Sequence, residues 1–395
     1  MPKPATPAPS STAGSPGGIL TLVRNGRAAS RAEVARATGL SPTTVALRVE
    51  LLIEAGYLRE AGNGDSHGGR RPRQLEVDPS GGLIVGVDLG ARHASFGLFD
   101  MRAQLVAEHH VDIDIAEGPE VLLPWVAAQA QNLASHHAEA GQKLIGIGIG
   151  LPGPVNHPTG FLISPSRMPG WDGLDVSVEL SKLSGVPTVV DNDANLMALG
   201  EHIVRGEDVD DFVFIKAGSS IGGGVIFGGE LHHGHHGMAG DISHVTAHGA
   251  PATPCSCGRN GCLDAVAGGA AIVANLQAAS VDVADTPQVL ELARNGHPLA
   301  TQMLREAGIR TGTVLATVVN FSNPQRIVLG GNLSEAGAFV GGVKSAIYTE
   351  CLPLATDGLE IDVSQAKERG GIIGAARVVL DRILDADTVT ADVAP

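Results

Sequence analysis

The sequence predicts an α/β protein in which a winged helix-turn-helix head precedes a larger, duplicated α/β body. Between residues 19 and 60, apolar residues recur at helical spacing in three short segments, and a polar, arginine-bearing hairpin follows them. From Leu83 the pattern changes to short apolar strands, and a strand, a tight Gly/Ser turn and a second strand recur at Phe212 to Phe227. This recurrence predicts that the body consists of two copies of one lobe.

Charge is divided unevenly along the chain. The formal net charge is −15 over 395 residues, yet residues 1 to 80 contain ten Lys/Arg and seven Asp/Glu, leaving 17 and 35 for the remainder. Only the front of the chain can therefore attract a polyanion such as DNA, and the acidic body should repel it.

The first 18 residues are a Pro/Ala/Ser/Thr-rich segment that predicts a disordered tail, without the apolar core of a signal peptide. No segment has the unbroken apolar length that spans a membrane. Three of the four cysteines lie within eight residues, which favours metal ligation in a reducing compartment over a disulfide framework. We therefore expect a cytoplasmic protein.

The head, predicted over residues 19–80, carries the start and stop signals of three helices. Ser30 with Glu33 predicts a capping box for the second helix, Gly39 ends it, and Ser41 followed by a proline begins the third. The short turn between these helices is the geometry in which the later helix lies in the major groove of DNA. Its predicted base-facing side chains are Thr43, Thr44 and Arg48.

The segment after the third helix predicts a wing, a hairpin that contacts DNA beside the recognition helix. Its arginines Arg70, Arg71 and Arg73 precede an apolar alternation and would contact phosphates or enter a minor groove. The alternative is a small helical bundle with a solvated basic loop. The caps, the turn and the arginines agree with one another, and together they favour DNA binding.

Eight motifs occur in order along the body. They are DLG at 88–90, GLPGPV at 150–155, PGW at 169–171, DNDAN at 191–195, IGGG at 221–224, AGDISH at 239–244, CSCGRNGCLD at 255–264 and NPQRIVLGG at 323–331. By these motifs residues 83–385 resemble the ROK proteins, which are sugar kinases and repressors of the actin-like ATPase, or ribonuclease H-like, fold. The resemblance implies a body at 81–395, with lobes at about 83–200 and 201–370 and a C-terminal helix at 371–385 returning to the first lobe.

A Cys/His cluster predicts a metal site. His244, Cys255, Cys257 and Cys262 supply the ligand types and the ligand number of a closed tetrahedral zinc site. The resemblance assigns the same four residues to structural zinc, and it implies that the second ring nitrogen of His244 holds a sugar hydroxyl. The alternative is a cluster of buried free cysteines. The nearby histidines of residues 232–236 also suit a metal by composition, but the family needs no ligands there, so we expect a solvated loop.

The resemblance also implies a sugar pocket. Asp193 corresponds to the catalytic Asp that takes a proton from the hydroxyl to be phosphorylated, with a buried Asp of no substrate role as the alternative. Asp241 and Asp264 stand where the family usually has glutamates and are one methylene shorter, and Arg167 replaces a smaller polar residue. The predicted sugar contacts are Gly153, Asn192, Asp193, Asp241, His244 and Asp264.

Both implied phosphate loops depart from the family pattern. The first is usually Asp-x-Gly-Gly-Thr but here has Ala91 and Arg92 after Gly90, and the second, usually Gly-Thr-Gly-x-Gly, has Ser220 in place of a glycine. Such changes should cut phosphoryl transfer sharply, although Arg92 could supply charge to a phosphate and glycine-rich turns can be purely structural. We expect a decayed ATP/Mg²⁺ site, with the remnants Asp88, Gly90, Arg92, Gly218, Ser219, Gly222 and Gly330.

Together these features predict a sugar-responsive ROK transcriptional regulator, a repressor of carbohydrate-metabolism genes. A sugar or sugar phosphate would close the lobes and shift two heads on double-stranded operator DNA. A homodimer or a dimer of dimers is expected, because one recognition helix reads too few bases for useful specificity. The alternatives are an active hexose or N-acetylhexosamine kinase with a DNA-binding head, and a module regulated by a protein partner.

Overall fold

The computed structural model describes residues 13–63, 73–139, 141–157, 159–163, 165, 168–206 and 209–394. The predicted wing arginines Arg70 and Arg71, the pocket residue Arg167 and the first twelve residues of the predicted tail lie outside the described residues. Within the described part, no helix combines the length and the apolar character needed to cross a membrane.

The head contains the three predicted helices and the two strands of the wing. They are α1 at Pro16–Arg24, α2 at Arg31–Thr38, α3 at Pro42–Glu54, β1 at Leu58–Asn63 and β2 at Arg73–Val77. Ser30 caps α2 by accepting a hydrogen bond from the backbone N–H of Glu33 at 3.3 Å, and Ser41 caps α3 in the same way. The Glu33 carboxylate departs from the predicted capping box, because it accepts from the N–H of Ala29 at 2.6 Å, one residue before Ser30.

Helix α1 begins inside the predicted tail. The Ser15 side chain caps it by accepting a hydrogen bond from the N–H of Gly18 at 3.1 Å. Gly17 lies against the backbone of Ala386, where an added Cβ would come within 1.9 Å of the carbonyl oxygen. The predicted tail of residues 1–18 is therefore too long. A glycine usually indicates a loop, but Gly17 lies in a helix and allows that helix to pack closely against Ala386.

The first lobe is built on a five-stranded sheet. Its strands are β3 at Leu83–Leu89, β4 at His93–Asp100, β5 at Leu105–Asp112, β6 at Leu144–Leu151 and β7 at Thr188–Asn192, and its helices are α4 at Pro119–His137, α5 at Val176–Ser184 and α6 at Asp193–Arg205. The sheet order is β5-β4-β3-β6-β7, in which β3, β6 and β7 are parallel and β4 and β5 antiparallel. Strand β3 is buried along its whole length, as its apolar residues Leu83 to Val87 predict, and the burial includes Asp88 near its end.

The second lobe repeats this arrangement. Its strands are β8 at Phe212–Ala217, β9 at Ile221–Phe227, β10 at Glu230–Leu231, β11 at Arg326–Gly330 and β12 at Glu360–Val363, and its helices are α7 at Leu263–Ala267, α8 at Gly269–Ala278, α9 at Thr286–Arg294, α10 at Pro298–Ser322, α11 at Gly337–Glu350 and α12 at Pro353–Thr356. The order β10-β9-β8-β11-β12 again joins an antiparallel meander to two parallel connections. The repeated order confirms the predicted duplication.

Two C-terminal helices connect the lobes to the head. Helix α13 at Gly370–Ile383 returns to the first lobe and packs on β3, β6 and α6. Helix α14 at Ala386–Asp392 follows it and packs against α1. Val389 of α14 is fully buried in one apolar cluster with Ile19 and Leu20 of the head and Ile84 of β3. The head and the first lobe therefore share a continuous core.

Candidate functional site

The end of β7 and the start of α6 position two of the predicted sugar contacts. The Oδ1 of Asn192 caps α6 by accepting from the N–H groups of Ala194 and Asn195 at 2.9 and 3.3 Å. Its Nδ2 donates to the carbonyl oxygen of Gly153 at 2.9 Å. The structure thus brings Asn192 and Gly153 together, and the cap fixes the orientation of the Asn192 amide.

Asp193, the residue in the kinase-equivalent position, is paired with a lysine of the other lobe. The Nζ of Lys216 on β8 donates to the Oδ2 of Asp193, and both side chains are largely buried. Sequence reasoning missed Lys216, although a lone cation within the apolar strand FVFIKA is an unusual feature that could have revealed it.

Three carboxylates act on the Lys216 ammonium. Burial by itself would lower the pKa of Lys216, but Asp193, Asp88 and Asp264 outweigh burial and raise it. Burial raises the pKa of Asp193, and the attraction of Lys216 offsets only part of that rise. Lys216 is therefore held in its charged form at the junction of the lobes.

The first phosphate loop is occupied by the chain's own side chains. The imidazole of His93 covers Gly90, so closely that a Cβ on Gly90 would lie 2.2 Å from its Cε1. The Nε2 of His93 is also 3.5 Å from the Oδ2 of Asp88. Arg92, which was the alternative source of charge for a phosphate, pairs with Asp114 at 3.0 Å, and its side chain is 75% exposed. His93 is a second residue that sequence reasoning missed.

The second phosphate loop is tied to helices α7 and α8. The carbonyl oxygens of Gly218 and Ser219 accept hydrogen bonds from the first N–H groups of α8 at 2.8 and 2.9 Å. The Oδ1 of Asp264 on α7 accepts from the N–H of Ile221 at 2.9 Å. Ser220 is not among the described residues with positive φ, so it fits this turn without backbone strain.

Two further glycines of the predicted phosphate loops serve packing. A Cβ on Gly330 would lie 2.3 Å from the ring of Phe214, and one on Gly222 would contact the Cβ of Ala194 at 3.4 Å. Gly222 therefore brings the second hairpin against the start of α6. For Gly330, the neighbouring aromatic ring accounts for the absence of a side chain.

The Cys/His cluster is assembled as its spacing predicts. The Sγ of Cys255 is 3.5 Å from the Nδ1 of His244, and the Sγ atoms of Cys257 and Cys262 are 3.6 Å apart. All four ligand atoms lie within 4.8 Å of one another, and none of the cysteines forms a disulfide. A tetrahedral ion with zinc–sulfur bonds of about 2.3 Å has sulfur–sulfur edges of about 3.8 Å. The four residues therefore fit a tetrahedral metal ion.

The thiols of this cluster differ in acidity. Hydrogen bonds from the backbone and then the side chain of Arg259 lower the pKa of Cys257 to about 6. Burial raises the pKa of Cys262 to about 12, and the neighbouring Cys257 and Cys255 add to this rise. A bound cation would reduce the repulsion between neighbouring thiolates, because a metal ion binds cysteine in its thiolate form.

The predicted sugar contacts Asp241, His244 and Asp264 share one framework beside this cluster. The N–H of Asp264 donates to the carbonyl oxygen of Ser243 at 2.9 Å, and the N–H of Ser243 donates to the Oδ1 of Asp241 at 2.8 Å. Because the Nδ1 of His244 faces Cys255, its Nε2 lies on the opposite edge of the ring. The arrangement suits a histidine that touches a metal with one nitrogen and a ligand with the other.

One histidine of the 232–236 run departs from the expected solvated loop. His232, His235 and His236 are exposed, but the Nε2 of His233 lies 2.6 Å from the buried Oδ2 of Asp191. Its ring stacks on His157, with the centroids 3.6 Å apart. Burial lowers the pKa of His157, and His233 adds to this. The expectation of a solvated loop is therefore wrong for His233, because sequence spacing could not reveal its distant partners.

The predicted DNA-contacting residues are held to different degrees. Thr43 is exposed, whereas the hydroxyl of Thr44 lies 2.8 Å from that of the N-cap Ser41. The guanidinium of Arg48 donates to the carbonyl oxygen of Gly14. Leu47, which sequence reasoning did not select, is 64% exposed on α3 one turn after Thr43. An exposed apolar side chain on this helix can contact a thymine methyl group.

On the wing, Arg73 is engaged by an acidic neighbour. Its Nη1 donates to the Oε2 of Glu60 at 2.7 Å, and Arg31 of α2 also lies 3.0 Å from the same carboxylate. The Arg73 side chain is nevertheless 68% exposed. A phosphate could therefore reach Arg73, but it would compete with Glu60 for it.

Comparison with known proteins covers both parts of the chain. A family model described as the ROK family matches residues 84–382, and a model described as winged helix-turn-helix DNA-binding matches residues 19–59.

Individual relatives differ in how much of the chain they match. The putative xylose repressor of Caldicellulosiruptor sp. (strain Rt8B.4) is 28% identical over 382 residues, which cover 93% of this chain and 95% of the repressor. The glucokinase of Halalkalibacterium halodurans is 28% identical over 311 residues, which cover 75% of this chain and 94% of the kinase. A solved ROK family transcriptional regulator, a homolog of the E. coli MLC protein, has a TM-score of 0.77 at 24% identity, with 96% of this chain and 98% of that chain covered. This last likeness establishes the fold of head and body together.

Proposed function

Because this chain belongs to the ROK family and carries a winged helix-turn-helix head, we propose that it is a sugar-responsive transcriptional repressor of carbohydrate-metabolism genes. The repressor relative matches nearly the whole chain, head included, whereas the glucokinase matches three quarters of it. We propose that the head, predicted over residues 19–80 and extended to Pro16 by helix α1, precedes a body of residues 81–395, and that the protein acts in the cytoplasm.

The observation that carries this proposal is the occupation of the kinase machinery by the chain's own side chains. Lys216 is bonded to one oxygen of Asp193, where a kinase needs a carboxylate free to accept the proton of a sugar hydroxyl. His93 covers the backbone of Gly90, where a nucleotide phosphate would have to approach. We therefore assign the site around Gly90 and Asp193 to ligand sensing and not to ATP- and Mg²⁺-dependent phosphoryl transfer.

The ligand of this site is proposed to be a sugar or a sugar phosphate. Asn192 and Gly153 are hydrogen-bonded to each other at one side of the proposed site. Asp241, His244 and Asp264 lie in segments that hydrogen bonds hold together. Amide and carboxylate groups that are already oriented suit the recognition of several hydroxyl groups. Asp193 serves as a sugar contact in this proposal.

Structural zinc is proposed for the cluster of His244, Cys255, Cys257 and Cys262. The ion would hold the backbone at His244 to the short loop that carries the three cysteines. His244 would be oriented through its Nδ1, so that its Nε2 presents a fixed partner to a sugar hydroxyl.

The signal is proposed to pass from the sugar site to the head along the helices α6, α13, α14 and α1. Asp193 is the first residue of α6, and α13 packs so closely on α6 that a Cβ at Gly374 would lie 1.9 Å from the carbonyl oxygen of Leu196. The N–H of Gly17 in α1 donates to Thr390 of α14 at 3.1 Å. A ligand that prefers one lobe arrangement would shift the population of head positions through these contacts.

On operator DNA the protein is proposed to act as a homodimer or a dimer of dimers, with one recognition helix for each half-site. Thr43, Thr44 and Arg48 of α3 and Arg73 of the wing are proposed contacts, together with Arg70 and Arg71 beyond the described residues. Leu47 is added as an apolar contact because of its exposure. The alternative source of the signal is the binding of a protein partner.

Fluorescence anisotropy on double-stranded DNA from upstream of the protein's own gene tests the proposal. The titration is made at two salt concentrations, with and without xylose, glucose, N-acetylglucosamine and their phosphates. We expect salt-dependent, sequence-specific binding that one of these sugars changes at least tenfold. Specific binding that no sugar alters would assign the signal to a protein partner. ATP-dependent sugar phosphorylation abolished by Asp193→Asn, without specific DNA binding, would identify a kinase instead.

A further inference from the structure

A second group of metal-ligating side chains lies apart from the Cys/His cluster. His157 follows β6 and Asp191 is the next-to-last residue of β7, both in the first lobe, whereas His233 follows β10 in the second lobe. The candidate ligand atoms of these three residues lie within 4.8 Å of one another. Two of them are already in contact, with 2.6 Å between the Nε2 of His233 and the Oδ2 of Asp191.

Hydrogen bonds orient Asp191, and close packing holds together the two loops that carry the histidines. The Oδ1 of Asp191 accepts from the N–H of Asn192 at 2.7 Å and from the Nδ2 of Asn195 at 3.0 Å, which directs the Oδ2 toward His233. The two histidine-bearing loops are also closely packed, since a Cβ at Gly237 would lie 2.3 Å from the carbonyl oxygen of Val155. Only 6% of the Asp191 side chain is exposed, so this carboxylate is a preoriented group and not a solvated surface charge.

We propose that His157, Asp191 and His233 bind a divalent transition-metal ion that fastens the loop of the second lobe to the first lobe. Two imidazoles and one carboxylate favour ions such as Ni²⁺, Co²⁺ or Zn²⁺, and leave coordination positions for water or a ligand hydroxyl. The stacked rings of His157 and His233 lie 14° from parallel, so their lone pairs do not converge. His157 is exposed, so its side chain is free to rotate, and binding of the ion would require a rotamer that turns a ring nitrogen toward Asp191.

The site goes beyond the proposed sugar response, and its existence does not depend on that response. It contains no thiolate, so its metal preference differs from that of the Cys/His cluster. Because Asp191 immediately precedes Asn192, an ion here would act beside the proposed sugar site. A bridge between the lobes also predicts higher thermal stability when this second ion is bound.

The test is a Ni²⁺ titration of tag-free, full-length protein in which the Cys/His cluster has first been filled with Zn²⁺. Isothermal titration calorimetry measures Ni²⁺ affinity, and elemental analysis after desalting counts both metals. We expect one Ni²⁺ per chain in addition to one Zn²⁺, and a rise in the melting temperature. His233→Ala and His157→Ala should each weaken Ni²⁺ binding by at least about tenfold and leave Zn²⁺ in place.

His235→Ala is the matched control, because His235 belongs to the same loop as His233 but is exposed. Among the rings that the structure describes, its ring contacts that of His236 and neither His157 nor His233. It should bind Ni²⁺ as the wild type does. His157→Ala alters an exposed side chain, so its circular dichroism spectrum should remain that of the wild type and any loss of Ni²⁺ is attributable to the site. The proposal is overturned by the absence of a second ion in the wild type, by full Ni²⁺ affinity in both His157→Ala and His233→Ala, or by an equal loss in His235→Ala.

Discussion

Lys216 and Asp193 form an ion pair that joins the two lobes. Lys216 lies on β8 of the second lobe, and Asp193 is the first residue of α6 in the first lobe. Asp88 and Asp264 add negative charge around the same ammonium, one from each lobe. One cation thus compensates carboxylates of both lobes, and the pair depends on the two lobes staying together.

Removal of this cation should destabilise the folded protein. Lys216→Met leaves the buried carboxylate of Asp193 without its cation and removes one of the positive groups near Asp88, so we expect a loss of about 3 kcal/mol in the free energy of unfolding. Urea denaturation followed by circular dichroism measures the loss. The double variant Lys216→Met/Asp193→Asn should recover part of it, because one of the two charges is then removed as well. A single variant as stable as the wild type would contradict the role assigned to the pair.

Loss of one ligand of the Cys/His cluster should affect metal and sugar together. Cys257→Ser is expected to lose the proposed zinc and to lower sugar affinity, because His244 then loses its fixed orientation. Elemental analysis and a sugar titration on the same sample measure both effects. Cys351→Ser is the matched control, since Cys351 donates to the carbonyl oxygen of Ala316 away from the cluster. One tightly held zinc in Cys257→Ser would place the ion elsewhere.

Weakening the contact between α1 and α14 should uncouple the head from the sugar site. Thr390→Val removes the acceptor of the Gly17 N–H, and we expect the coupling between sugar and DNA binding to fall by about 1 kcal/mol, or about fivefold. Sugar-free DNA affinity should change less than the sugar response. Anisotropy titrations with and without sugar give the coupling. The exposed Thr388, changed to Val, is the control on the same helix, and an equal effect of both variants would argue against this route.

Release of Arg73 from Glu60 should strengthen DNA binding. Glu60→Gln removes the carboxylate that pairs with Arg73 and Arg31, so we expect tighter binding and a salt dependence steeper by about one ion. Glu54→Gln makes the same change in net charge, and Glu54 has no ion pair within the described residues. Equal effects of the two variants would mean that the change in net charge, and not the release of Arg73, alters DNA binding.

The pair of Arg73 and Glu60 also predicts how its stabilising effect depends on pH. The hydrogen bond from Arg73 holds the pKa of Glu60 below its ordinary value of 4.5. A lowered pKa in the folded state means that the stabilisation is present above the unfolded value and is lost as the pH falls through the lowered one. Competition between Glu60 and DNA for Arg73 should therefore persist at neutral pH.

The sequence by itself determined the features that depend on neighbouring residues. Ser30 and Ser41 cap helices through hydrogen bonds to residues three positions away, so their spacing in the chain is sufficient to predict the helix starts. Cys255, Cys257 and Cys262 are equally close in sequence, and a short loop brings them together. The motifs of the body and the recurrence at Phe212 to Phe227 predicted the duplicated fold for the same reason, since each copy repeats a local pattern.

Only the tertiary structure decided which residues distant in the sequence are in contact. Lys216 and Asp193 are 23 positions apart, His233 and Asp191 are 42 apart, and Gly17 and Thr390 are 373 apart. Composition gives no sign of such partners, because a buried charge or a close glycine contact is set by which strands and helices pack against each other. The partial burial of His233 beside Asp191 follows from this packing, and local propensity does not predict it.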